Sequence, residues 1–185
     1  MKYLMAAVLG VGCLAEPAQQ LLALNTARPY LEEESAAADG PATLPPNVAI
    51  AEVFRPAVTA MLRNSATFRR QCGRIGRSSG LHVIIERSIL QGAPGDSALT
   101  RVTRGAGGRL DAEVQIGSFG DAVTLIAHEF EHILEQLDEV DLSAMAARSG
   151  TGVRADSRFG HFETERAVAA GKRVADEVSR AGSRR

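Results

Sequence analysis

His128-Glu129-Phe130-Glu131-His132 is the stretch that most constrains how this chain can fold. Two histidines four residues apart can act on one ion when the backbone between them is helical, because residues i and i+4 then lie one turn apart. The flanking sequence predicts that helix over 121–138. Val123, Ile126, Phe130, Ile133, Leu134 and Leu137 form an apolar stripe at 3.6-residue spacing, Asp121 stands where an N-cap belongs, and Leu125, His128 and His132 run beside the stripe. Two imidazole nitrogens so placed suit zinc, which binds them at about 2.0–2.1 Å. Glu129 is turned about 100° from His128, off the histidine face but able to reach a water on such an ion, as the general base of a hydrolytic site does. The bland alternative is a pair of core histidines satisfied by hydrogen bonds; the chain has only four histidines, and two of them fall in this pattern.

A catalytic zinc takes a third protein ligand and keeps one position open. The short-range continuation of the motif would place Gly at 135 and His at 138, where this chain has Glu135 and Asp138. The later run His161-Phe162-Glu163-Thr164-Glu165-Arg166-Ala167 offers carboxylates instead. On a helix over 159–179, Glu163 shares an apolar stripe with Ala167, Ala170, Val174 and Val178. Glu165 falls about 200° away among Ala169, Lys172 and Asp176, and is expected to be an exposed partner of Lys172 or Arg166. A carboxylate on a buried face is costly unless paired or bound to metal, so Glu163 is the expected third ligand. Its alternative is a buried glutamate satisfied by backbone or an arginine. Glu135 is a further alternative, although three ligands from consecutive turns of one helix surround an ion poorly.

The rest of the chain supplies a domain of α+β class. Residues 1–15 read as a secretory leader, with Lys2 followed by a short apolar run too brief to span a bilayer, which predicts a secreted or periplasmic protein. Lipoprotein attachment through Cys13 is disfavoured by Gly10. Residues 16–47, with five prolines and an acidic run at Glu32, Glu33 and Glu34, read as a linker or short pro-segment. The folded unit is expected over 48–180, with a basic tail at 181–185. Within it the sequence predicts a helix whose stripe runs from Ile50 to Leu62, a second helix from Ala66 to Ile75 capped by Ser65, a strand over 81–86, and a hairpin of strands 99–104 and 110–116. Cys72 reads as a buried apolar thiol, and the cluster Arg69, Arg70, Arg74 and Arg77 as a solvated helix face. A net charge of −1 and the absence of Trp argue against nucleic-acid binding.

The segments 127–135 and 162–167 resemble the gluzincin branch of the zincin metallopeptidases and small bacterial secreted proteins of that type; the similarity covers chiefly residues 121–170. The resemblance implies a small antiparallel or mixed sheet packed on the active-site helix, with a second, C-terminal helix carrying the third ligand. It also implies zinc held by His128, His132 and Glu163, Glu129 as general base, and a sheet edge within 98–116 that holds an extended peptide substrate. The chain departs from the thermolysin-like pattern in having 30 residues between His132 and Glu163, and Ala167 where those members carry Asp. Both tyrosines, Tyr3 and Tyr30, precede the folded unit, so His161, His82 or an arginine must support the oxyanion. His161, next but one to Glu163, is the expected catalytic candidate. Two rivals stand beside the peptidase: an exported zinc-binding module without turnover, and a metal-free domain binding partners through the basic 69–77 face.

Overall fold

Leu81-His82-Val83-Ile84-Ile85 is rich in β-branched residues and forms the strand around which the domain assembles. The computed structural model describes residues 40–88, 98–117, 121–156 and 161–184; the leader, Cys13, both tyrosines and the linker as far as residue 39 lie outside the described residues. Four strands make one mixed sheet: β1 (Val48–Ile50), β2 (Leu81–Arg87), β3 (Ala98–Arg104) and β4 (Leu110–Ile116), in the order β1-β2-β4-β3. The first, second and fourth run parallel, and β3 lies antiparallel to β4 on the sheet's edge. Period-two alternation sends Leu110, Ala112, Val114 and Ile116 into the core, with Asp111, Glu113 and Gln115 on the other face. In β2, Leu81, Val83 and Ile85 are buried, and His82 stands on the outer face about 4.0 Å from Asp111. Gly107 and Gly108 close the β3–β4 connection with φ of 73° and 80°, a region that favours glycine.

Ile50 belongs to β1 and not to the first helix. Its backbone is committed to a parallel ladder with Ile85, and the helix waits for Pro56, whose fixed φ suits a helix start. α1 (Arg55–Asn64) and α2 (Ala66–Arg77) meet at Ser65, whose Oγ accepts the Phe68 N–H at 3.0 Å. The linker is already packed at its end: Leu44 rests on the core, and the Asn47 amide donates to the Ile75 and Leu81 carbonyls at 3.0 and 2.9 Å. Cys72 is buried, and burial pushes its thiol up to about 12, leaving it inert. The basic cluster is partly structural, since Arg69 Nη1 donates to the Leu62 carbonyl at 3.0 Å and Arg74 pairs with Asp138.

α3 (Ala122–Leu137) carries the histidine motif and begins at Asp121, whose carboxylate accepts the Val123 N–H at 3.1 Å. It is the central element, with β3 and β4 on one side and α2 and α5 (Glu165–Gly182) on the other. Ile126, Phe130, Ile133 and Leu134 fill the space between, and Phe130 stacks on Phe68 with ring centroids 5.3 Å apart. A short helix, α4 (Leu142–Ala146), and a hairpin of β5 (Val153–Asp156) and β6 (His161–Thr164) separate α3 from α5. This hairpin overturns the expectation of a helix from residue 159. Residues 161–164 pair with β5, and the Thr164 Oγ1 caps α5 by accepting the Ala167 N–H at 3.0 Å. Among the described residues no helix is long and apolar enough to cross a membrane.

Candidate metal centre

His128 and His132 leave the same side of α3, and their Nε2 atoms lie 3.1 Å apart. Glu163 arrives from β6, with Oε1 3.4 Å from His128 Nε2. One donor atom from each of the three residues lies within 4.8 Å of the others. Four-coordinate zinc at ordinary bond lengths keeps adjacent ligand atoms about 3.3 Å apart, so these two distances match edges of a tetrahedral site. Two imidazole nitrogens and a carboxylate are also the donor types zinc accepts in open, three-ligand centres. The residues therefore fit the ion. Glu163 is not on a helix or on a buried stripe, as its spacing predicted; it is the penultimate residue of a strand, with a side chain 42% exposed.

Glu135 orients this set from behind. It is 2% exposed, and both of its oxygens are engaged: Oε2 lies 2.8 Å from His132 Nδ1, and Oε1 accepts the Thr164 hydroxyl at 2.7 Å. A carboxylate on Nδ1 places the ring proton there and leaves the Nε2 lone pair for a metal. With both oxygens engaged, Glu135 lies outside the three-residue donor set. Because Thr164 follows Glu163 and caps α5, one carboxylate joins His132 on α3 to the backbone that carries Glu163.

Glu129 sits one step round the helix, 4% exposed, beneath β3. Burial raises its carboxyl above the ordinary range, and the Thr100 hydroxyl of β3 and the two imidazoles only partly oppose this. The Thr100 hydroxyl is itself buried and faces Glu129 from β3. For His132, burial favours the neutral ring, but the Glu135 bond and the charges of Glu129, Glu135 and Glu163 outweigh it and raise its pKa. Glu129, Glu135 and Glu163 concentrate acidic groups around the two imidazoles, and a divalent cation would offset their charge.

Other residues go elsewhere. His161 is exposed on β6, two residues before Glu163 and hence on the same face of the strand, but outside the three-residue donor set. His82 is on the far face of the sheet and takes no part. Arg166 does not pair with Glu165: its Nε donates to Glu131 Oε1 at 2.6 Å and its Nη1 to Asp138 Oδ2 at 3.0 Å. Gln71 from α2 completes the buried network, donating to Glu131 Oε2 at 2.7 Å and to the Ala127 carbonyl at 2.9 Å. Glu131, inside the motif, is therefore a structural anchor for α3. Gly171 carries no signal in the sequence, yet it shapes the site. A Cβ there would lie 2.8 Å from the Thr124 carbonyl and 3.3 Å from His128 Cβ, so α5 meets the ligand helix at backbone distance.

Comparison with family models, with curated proteins and with solved structures found no match to this chain.

Proposed function

We propose that the protein is a zinc-dependent metallopeptidase with a zincin-like arrangement, hydrolysing peptide bonds at the centre formed by His128, His132 and Glu163. The observation that supports this reading is the convergence of those three donors beside a buried carboxylate, Glu129, on the same helix turn. Zinc, when bound, supplies Lewis acidity and lowers the pKa of a water towards 7. Glu129 removes a proton from the attacking water and returns it to the departing amine, so its raised proton affinity suits both halves of the task. His132 holds its donor nitrogen in place through Glu135. β3 is an edge strand packed against α3, and an extended peptide laid along its free edge would pass over the centre with its backbone hydrogen-bonded.

The test combines metal analysis with cleavage of a broad peptide library. Glu129→Gln is expected to keep one zinc and lose hydrolysis, and His128→Ala to lose both. Equal zinc loss in the two variants would overturn the division of roles. The second reading, a zinc-binding module without turnover, draws on the near-complete burial of Glu129. Wild-type protein that holds one zinc and cleaves no library member would establish it over the first.

A further inference from the structure

Acyl transfer through a tetrahedral anion calls for a donor aimed at the developing oxygen charge. No tyrosine occurs after Tyr30, so the domain must find that donor among other side chains. The register of the β5–β6 hairpin supplies one. Arg154 stands directly opposite Glu163, and opposed residues of an antiparallel pair project from the same face with Cβ atoms about 4.5–5.5 Å apart. That face looks onto the ligand cluster, since Glu163 reaches His128 from it.

An arginine facing a glutamate across a ladder ordinarily pairs with it. Here Glu163 Oε1 turns instead to His128, and it accepts its neighbour's Thr164 N–H at 3.0 Å. Arg154 is exposed, and among the described side chains no carboxylate pairs with it. His161 shares the face but lies two pairs further towards the hairpin's tip, opposite Asp156. We infer that Arg154 is a catalytic residue whose guanidinium binds the anionic oxygen of the reacting carbonyl at the centre's open side, and that the centre accordingly takes tetrahedral anions. This rests on the metallopeptidase reading above and deepens it. A planar, permanently charged fork is well suited to an oxygen anion, and its exposure lets substrate reach it.

The experiment uses the full chain loaded with cobalt(II), a spectroscopic stand-in for zinc, and inorganic phosphate as the tetrahedral probe. Phosphate binding is followed through the visible cobalt bands, and cobalt affinity is measured separately. Arg154→Ala is expected to weaken phosphate about ten-fold or more while cobalt affinity and the unfolding midpoint stay at wild-type values. Arg154→Lys should fall between. Arg101→Ala removes the same charge from the outer face of the sheet and should leave phosphate affinity unchanged. The assignment is overturned if Arg154→Ala binds phosphate like wild type, if Arg101→Ala weakens it as much, or if cobalt-loaded wild type binds no phosphate. Failure of wild type to take up cobalt at all would instead sink the metal centre, and this inference with it.

Discussion

At the residue scale, Glu135 shows how much of the candidate metal centre depends on a residue outside its donor set. Its carboxylate is buried, carries no arginine partner, and is satisfied by one imidazole and one hydroxyl. Glu135→Ala leaves the His132 Nδ1 and the Thr164 hydroxyl without that acceptor and frees the ring to turn. The expected outcome is a loss of about 10–100-fold in zinc affinity with helix content unchanged, measured by competition with a chromophoric chelator. Glu135→Gln, which can still accept from either group, should lose less. That His128 and His132 share one side of a helix was legible in the sequence because their spacing is local and helical. Glu163 does lie beside the two histidines, but not for the expected reason: helical spacing put it on a buried stripe, whereas it is brought there as the penultimate residue of a strand. Glu135 left a signal, a carboxylate three residues after a histidine on one helix face. That spacing fits a ligand and a partner equally well, and only the Thr164 contact separates them.

Among elements, the approach of α5 to α3 governs the histidine face. Gly171 permits it, and its replacement sets two effects against each other. Alanine raises helix propensity by about 1 kcal/mol, but its Cβ meets the Thr124 carbonyl and must push the helices apart, at about 1–3 kcal/mol. Gly171→Ala is therefore expected to destabilise the protein in urea unfolding and to weaken zinc as His128 is displaced. The same change at Gly182, where a Cβ meets nothing, should be neutral or mildly stabilising. Arg166 is a second such contact, joining α5 to the buried Glu131. Arg166→Ala strands that carboxylate with Gln71 alone and should cost about 2–4 kcal/mol in the same measurement. Long periodic elements such as α3 were readable because one face meets the core along its whole length. The β5–β6 hairpin was not, since four-residue strands carry too little pattern, and Phe162-Glu163-Thr164 extends the helical spacing of α5 backwards. Only pairing with 153–156 decides between the two, and pairing is not a local property.

Over the whole molecule, a half-buried carboxylate ties α5 to α2 and makes stability depend on pH. Burial opposes the charge of Glu177 on α5, but the Ser65 and Thr67 hydroxyls and the Thr67 N–H outweigh it and hold its pKa below the ordinary value of 4.5. A carboxylate depressed in the folded state stabilises fully above its unfolded pKa and loses that contribution as pH falls through the folded one. Wild type should thus exceed Glu177→Gln in unfolding free energy by about 1–2 kcal/mol at pH 7, with the gap closing below about pH 4.5. Urea titrations of both proteins across that range check it, and a gap constant with pH would refute it. The joint at Thr164 has a wider consequence. With the ion in place, α3, the β5–β6 hairpin and the start of α5 are cross-braced through one atom, much as a rivet holds plates that otherwise only touch. If the proposed centre holds zinc, each tenfold rise in free zinc above its dissociation constant adds about 1.4 kcal/mol to the unfolding free energy. On the proposed reading, the protein's endurance to heat becomes a gauge of the metal in its surroundings.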